Sequence, residues 1–299
     1  MNRYEIVRAI GMVVSRILGG LGNQMFQYAA GRSLANRLNT TLKLDLSFFS
    51  KQSLRSYKLD RFNAQEIIAT ASECNKLRGK EGRLFKVFQK LSLKYPRPES
   101  YINETNYMQI SESVMSAVKG DVYLNGYWQH EDYFKAIRSE LLREFSPKLP
   151  LSAPAIDCMQ SIKSCNAVSI HVRRGDYVTS SIGRSVHGSC TLDYYNNAIR
   201  YICANVNTPV FFVFSDDIEW CKNNLCSLND RIIFVDNTRD EIDDLILMMR
   251  CRHNIIANST FSWWAAWLNE YSNKIVVSPK VWVVSNSSLH IAPFEWVKL

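Results

Sequence analysis

No run of about 18 uncharged apolar residues occurs in this 299-residue chain, the length a membrane-spanning helix needs. The N-terminus lacks the long apolar core of a secretory signal, which makes the cytosol the expected compartment. The eight cysteines are scattered without a C-x-x-C pair. They suggest reduced thiols, not a disulfide frame or a zinc site. Low-complexity and repeat segments are missing. With 46% hydrophobic and 21% charged residues the composition excludes disorder. No zinc finger, ribonucleoprotein motif or helix-turn-helix pattern is present, so nucleic acid is not an expected partner. At roughly 150 residues per domain, the length accommodates about two domains, each with its own core.

Acidic residues are in short supply, 28 against 36 basic ones, giving a net charge of +8. The deficit is local. Residues 1–150 carry 23 basic and 14 acidic side chains and residues 151–299 carry 13 and 14, so the halves stand at +9 and −1. Segment 76–97 alone holds eight basic residues and one acid, Glu81. Leu84, Val87, Phe88 and Leu91 fall on one helical face there, and Lys86, Lys90 and Lys94 on another. The first expectation is a solvated helix whose apolar side joins the core. The alternative is a peripheral contact with an anionic membrane, or with a phosphate-bearing acceptor.

Apolar, β-branched runs at 167–172, 210–215, 231–235, 254–257 and 274–278 alternate with helix-compatible stretches at 192–205, 218–225, 241–250 and 260–271. This rhythm predicts an α/β domain with a doubly wound parallel sheet. The first half begins the same way, with strands at 12–18 and 41–46, a glycine turn at 19–22 and a helix at 24–38. It then loosens through the basic segment before a strand at 122–125 and a helix at 132–145. Pro147, Pro150 and Pro154 suggest a linker, dividing the chain into domains 1–150 and 151–299. Residues 1–11 carry no motif, and Met12 stands where the first strand begins as a second candidate start.

Ligands of open α/β sheets bind outside the carboxyl ends of the strands. In the second half those ends carry His171-Val172-Arg173-Arg174-Gly175-Asp176, then Ser215-Asp216-Asp217, Asp236-Asn237, and Asn258-Ser259-Thr260-Phe261-Ser262. Paired arginines offer forks that match phosphate oxygens, although an ion pair of Arg173 or Arg174 with Asp176 or Asp217 is the structural alternative. Asn258-Ser259-Thr260 opens a helix, where free N–H groups favour an anion. Asp236 could accept two N–H donors from a guanine edge. Together these describe a nucleotide diphosphate site. In the first half, Gly20-Leu21-Gly22 followed by Asp45 superficially fits a dinucleotide fingerprint. Met25 occupies the third glycine position, however, and argues against nicotinamide or flavin. Asn23 and Gln24 supply amides instead, and Gly126-Tyr127-Trp128-Gln129-His130 adds aromatic and amide groups suited to a sugar ring. Trp263, Trp264 and Trp267 share one helix and are expected mostly in the core.

Gly19-Gly20-Leu21-Gly22-Asn23-Gln24-Met25-Phe26-Gln27-Tyr28-Ala29, His171-Val172-Arg173-Arg174-Gly175-Asp176, Phe214-Ser215-Asp216-Asp217 and Asn258-Ser259-Thr260-Phe261-Ser262-Trp263-Trp264 together resemble the bacterial α-1,2-fucosyltransferases of glycosyltransferase family 11. Pro293-Phe294-Glu295-Trp296 extends the resemblance almost to the C-terminus. The resemblance implies a GT-B-type fold, with two Rossmann-like domains facing an interdomain cleft. It implies GDP-β-L-fucose as donor substrate, with no separate cofactor, and inverting transfer to the 2-hydroxyl of a terminal galactoside. The acceptor would be an oligosaccharide or lipid-linked glycan of a bacterial surface. The N-terminal domain would be the acceptor side and the C-terminal one would bind GDP-fucose.

Carried onto this sequence, the resemblance assigns Arg173 and Arg174 to the diphosphate, His171 and Asp236 to the guanine, and Ser259, Thr260 and Phe261 to the phosphate surroundings, with Asn258 beside them. Asp176 and Asp217 would order that site. Asn23 and Gln24 would face the sugar, with Tyr127, Trp128 and Gln129 toward the acceptor. Arg173, Asp176 and Asn23 are the expected catalytic residues. No D-x-D pair occurs, so arginine charge and a helix N-terminus would neutralise the departing GDP without a metal. Asp176, His187 and a first-domain group are the candidate bases, none distinguished by its surroundings. An oxocarbenium-like transition state whose proton passes to GDP oxygens needs no dedicated base. Two rival readings stand beside this one: another nucleotide-sugar transferase of the same fold, and a glycan-binding module without catalysis.

Overall fold

The computed structural model describes residues 11–51, 54–104, 115, 117–175, 190–225, 231–283 and 291–299. Asp176 and His187 lie outside the described residues. The chain divides into two compact units, Met1–Ser146 and Pro147–Leu299, the division falling at the first proline of the 147–154 cluster. Each contains a parallel sheet.

The first unit is built on β1 (Met12–Arg16), β2 (Thr41–Asp45), β3 (Tyr101–Asn103) and β4 (Val122–Asn125), in the order β2-β1-β4-β3. Val13, Val14 and Leu124 are fully buried, as continuous apolar strands covered on both faces must be. Helix α1 (Leu21–Arg37) lies so close to the sheet that a Cβ on Gly31 would stand 2.8 Å from Leu42 Cδ1 and 3.0 Å from Ser15 Cβ. Helix α2 (Ala71–Arg78) starts with a capping box between Thr70 and Glu73; these reciprocal bonds satisfy otherwise orphaned N–H groups. Helix α3 (Arg83–Lys90) follows. The helix expected over 132–145 is shorter: two 3-10 turns, Glu131–Tyr133 and Lys135–Ile137, precede α4 (Arg138–Glu144). Glu144 joins α4 to α1 by accepting from Tyr28 Oη at 2.7 Å and Arg32 Nε at 3.0 Å.

The second unit contains β5 (Asn166–Val172), β6 (Pro209–Ser215), β7 (Ile232–Phe234), β8 (His253–Ile255), β9 (Val276–Ser278) and β10 (Val297–Lys298), in the order β10-β9-β8-β5-β6-β7. Its helices are α5 (Ala153–Lys163), α6 (Leu192–Asn205), α7 (Ile218–Leu225), α8 (Glu241–Arg250) and α9 (Thr260–Leu268). Val168, Ile170, Phe211, Val213, Ile199 and Ile202 form the centre of one core. Trp263 and Trp264 are fully buried and Trp267 nearly so; Trp263 Nε1 donates to Ile291 O at 2.9 Å.

Two further sequence expectations change. Part of the proline-rich 147–154 stretch is a helix start: Ser152 accepts from Ala155 N, and Pro154 occupies the first turn of α5, where a missing N–H costs nothing. The basic helix also keeps less of its apolar side than predicted. Phe85 and Phe88 pack against Tyr95 at centroid distances of 5.2 and 5.5 Å, whereas Val87 is 50% and Leu91 61% exposed.

In the second unit strand order reverses direction between β5 and β8, while in the first β1 and β4 are neighbours at the centre of the sheet. At such a switch the loops diverge to opposite faces and leave a crevice beyond the strand ends. Motif-bearing loops follow these four strands and also β6, which leads into Asp216 and Asp217.

Candidate functional site

Beyond β5 the chain passes from buried His171 through Arg173 and Arg174, both partly exposed. Their positions are set from the neighbouring strand β6. Asp216 accepts from Arg174 N at 2.9 Å and Gly175 N at 3.0 Å, and its Oδ2 is 2.9 Å from Arg173 Nη1. One carboxylate therefore clasps the turn backbone and one guanidinium. A Cβ on Gly175 would meet Asp216 Oδ2 at 2.6 Å, which explains the glycine. Arg174 pairs with Asp217 through Nε at 3.1 Å and lies over the Trp220 ring at 4.0 Å. The alternative ion pair of Arg174 with Asp217 is thus realised. Each guanidinium has five N–H donors in a planar fork, more than a single carboxylate can engage. Sequence reasoning selected Asp217 and missed Asp216 as the principal organiser of this turn.

On the other side of the switch, β8 leads through Asn258 and Ser259 into α9. Asn258 is buried; it accepts from Cys190 Sγ at 3.6 Å and donates to Trp282 O at 3.3 Å, so it fixes the loop. Ser259 is the N-cap but makes no side-chain capping bond. Free N–H groups of the first helical turn carry partial positive charge, and Thr260 and Phe261 are partly exposed beside them. The two loops meet: the Phe261 ring lies 5.6 Å from the His171 ring. Asp236 follows the edge strand β7, is exposed, and forms an ion pair with Lys222 at 2.8 Å. The structure groups it with Lys222 and Glu219, not with the His171–Phe261 pair.

His171 is 6% exposed, and its Nδ1 is buried with no hydrogen-bond partner among the described residues. Burial, reinforced by Arg173 and opposed by Asp216, lowers its pKa from 6.5 to about 4. The imidazole is neutral at pH 7. Between these values the unfolded chain binds a proton that the native state refuses. The stability His171 contributes is therefore complete above pH 6.5 and is lost as the pH falls toward about 4. Comparison with His171→Asn cancels other titrating groups. Denaturant unfolding should show the stability difference, wild type minus variant, falling by about 3 kcal/mol between neutral and acidic pH; a difference independent of pH would contradict this assignment.

The first unit has its own constellation beyond the paired strands β1 and β4. Gly19 adopts φ +82, and a Cβ there would lie 2.9 Å from Asn23 Nδ2. Asn23 is partly exposed in the first turn of α1 and accepts from Gln129 Nε2 at 2.9 Å. This bond joins the loops after β1 and β4. Gln24 is different. It is fully buried, donating to Gly19 O at 3.0 Å and Ser56 O at 2.9 Å while accepting from Lys58 N at 2.9 Å. Its amide is committed to backbone, which corrects the expectation of an acceptor contact. Trp128 needs the same correction: its ring is 1% exposed, a core side chain. Tyr127 stays partly exposed.

Trp128 has φ +55, a conformation costly for a bulky residue. Glu104 holds it there. Its carboxylate accepts from Tyr127 N at 2.6 Å and Trp128 N at 3.1 Å, and a Cβ on Gly126 would lie 2.5 Å from Glu104 Cβ. Burial raises the Glu104 pKa, opposed by those two N–H donors. Glu104 had no sequence signature because it follows the three-residue strand β3, which hydrophobic patterning did not reveal. Nearby, Asp45 is buried and accepts from Tyr123 Oη at 2.6 Å and Arg78 Nη1 at 2.9 Å. Those bonds occupy the carboxylate that a dinucleotide reading would give to a ribose.

The described surface also has a depression of about 460 Å3 lined by Cys203, Asn205, Thr208, Pro209 and Arg231. It lies where β6 begins, at the opposite end of the sheet from the arginines.

The sequence profile described as "Glycosyl transferase family 11" matches residues 12–298. An Escherichia coli alpha-1,2-colitosyltransferase is 38% identical over 297 residues, covering 97% of this chain and 99% of the relative. The E. coli O-antigen biosynthesis glycosyltransferase WbnK is 31% identical, with 95% and 99% covered. Among solved structures, the fucosyltransferase NodZ from Bradyrhizobium superposes with a TM-score of 0.51 at 16% identity, covering 86% of this chain and 92% of that one. The superposition and the parallel α/β sheets agree with the expected GT-B class of fold.

Proposed function

This chain belongs to glycosyl transferase family 11, and we propose that it transfers L-fucose from GDP-β-L-fucose to the 2-hydroxyl of a terminal galactoside, inverting the anomeric centre without a metal. The observation that carries the reading is the pair Arg173 and Arg174 at the β5/β8 switch, held by Asp216 and Asp217 close to an unpartnered buried His171 nitrogen. Departure of GDP concentrates negative charge on the diphosphate. Preoriented guanidinium groups and the N-terminus of α9 stabilise that charge with little reorganisation. The same groups lower the barrier to breaking the glycosidic bond, so binding is directed at the transition state.

His171 and Phe261 supply a rigid apolar and aromatic flank for the nucleotide, with Thr260 and Ser259 toward its phosphates. Asp236, whose Oδ2 accepts from Lys222, would offer the remaining acceptor sites of its carboxylate to the guanine N–H groups. In the first unit, Asn23 and Gln129 are the amides placed for hydroxyl recognition, with Tyr127 beside them. We assign Trp128 and Gln24 to the framework that holds those groups. An acceptor in a bacterial surface glycan, free or lipid-linked, agrees with the O-antigen biosynthesis role in the name of the WbnK relative.

Colitose is fucose without its 3-hydroxyl, so the colitosyltransferase relative makes donor choice the point to test. A site that hydrogen-bonds a substrate hydroxyl strongly disfavours the analogue lacking it. With GDP-fucose and GDP-colitose offered together to lactose, the fucosylated product should dominate. Predominant colitosyl transfer would replace the donor while leaving the family intact. A donor with UDP in place of GDP should give no product.

A further inference from the structure

We propose that the α3 region is a docking surface for an anionic lipid membrane. The observation is an exposed row of aliphatic side chains flanked by unneutralised lysines. Val87, Leu91 and Leu93 are 50%, 61% and 56% exposed, and Lys86, Lys90 and Lys94 are exposed beside them. The adjoining side of the helix is already occupied. Phe85 and Phe88 pack edge-on against Tyr95, and Arg97 lies over the Phe85 and Tyr101 rings at 4.7 and 4.6 Å. That packing fixes which face looks outward.

Charge selects the partner. Segment 82–94 contains Arg83, Lys86, Lys90 and Lys94 and no acidic residue. The adjacent acid, Glu81, is already neutralised by Arg97 Nη2 at 3.1 Å. No described acid pairs with Lys86, Lys90 or Lys94. The helix ends at Lys90 with Leu91 as its C-cap; Ser92 then adopts φ +53, and Leu93 N donates to Phe88 O at 2.9 Å, which returns Leu93 to the helix end. The three aliphatic groups can enter the boundary between headgroups and acyl chains, while lysine ammonium groups remain at the level of anionic headgroups. An aliphatic row has no hydrogen-bonding groups with which to read a nucleic acid, whereas a lipid interface rewards burial of that row and attraction of its flanks together.

This inference concerns where the protein sits and is independent of its donor and acceptor. It is tested by sedimentation with vesicles of pure phosphatidylcholine or of phosphatidylcholine mixed with phosphatidylglycerol. The full chain should sediment with the mixed vesicles alone, and high salt should release it. The triple variant Lys86→Gln, Lys90→Gln, Lys94→Gln should weaken binding roughly 100-fold. The double variant Val87→Ser, Leu91→Ser should also release it, which a purely electrostatic contact would not do. Circular dichroism and transfer to a soluble acceptor should remain unchanged in both variants, excluding misfolding. Equal binding to both vesicle types, or binding unaffected by either set of substitutions, would overturn the proposal. So would absence of vesicle binding together with a dimer that the double variant dissociates, or with RNA binding that the lysine substitutions abolish.

Discussion

Arg173→Ala is expected to lower kcat for fucosyl transfer by about 10²–10³-fold, the loss found when one preorganised donor to a developing anion is removed. The guanidinium is partly exposed and fixed by Asp216 at 2.9 Å, so it is oriented before substrate arrives. Its removal leaves Asp216 with its two backbone N–H donors, from Arg174 and Gly175. The turn should therefore persist and thermal stability should change little. Arg173→Lys should fall between wild type and alanine, because a point charge replaces part of the electrostatic attraction but none of the planar fork. Single-turnover rates at saturating GDP-fucose, with the melting temperature measured in parallel, check this. A folded alanine variant with near-wild-type kcat would remove Arg173 from the chemistry.

Asp216→Ala should produce the second-largest effect, about 10–100-fold in kcat/KM, by acting on positions and not on charge at the reaction centre. The substitution removes the acceptor shared by Arg174 N, Gly175 N and the Arg173 guanidinium. Misplacing a catalytic group by about 1 Å can cost this much. Asp216→Asn should be milder, since its amide oxygen can still accept one N–H while its NH2 group opposes the second. Gly175→Ala should resemble Asp216→Ala, because the added Cβ must displace the Asp216 carboxylate, 2.6 Å away. Steady-state kinetics of the three variants provide the check. Wild-type kcat/KM in Asp216→Ala would show that the turn holds itself.

The second unit was legible because central strands buried on both faces are continuous apolar runs: Val210-Phe211-Phe212-Val213-Phe214 announces β6 without ambiguity. Once strands are placed, the polar residues at their carboxyl ends follow, and so does most of the arginine site. What sequence could not settle was which of two neighbours faces the site. Asp216 and Asp217 are adjacent, yet one clasps the turn and the other pairs with Arg174; that difference depends on local backbone direction. Asn23 and Gln24 pose the same problem on a helix, where about 100° of rotation separates an accessible amide from a buried clasp. Pro154 was ambiguous because proline suits both a linker and the first helical turn. For α3 the periodicity revealed an apolar face, but a periodicity contains no information about whether tertiary structure covers it. Glu104 was hidden for another reason, since its role arises from the unusual backbone of Trp128, which composition does not encode.

The most direct test of the central claim is the reaction itself: purified protein with GDP-β-L-fucose and lactose, chelator present, and the product's linkage assigned by NMR. A single trisaccharide carrying α-L-fucose on the galactose 2-hydroxyl, formed at the same rate with and without chelator, is the predicted result. Failure to transfer fucose to any galactoside, with or without added divalent metal, would contradict the account.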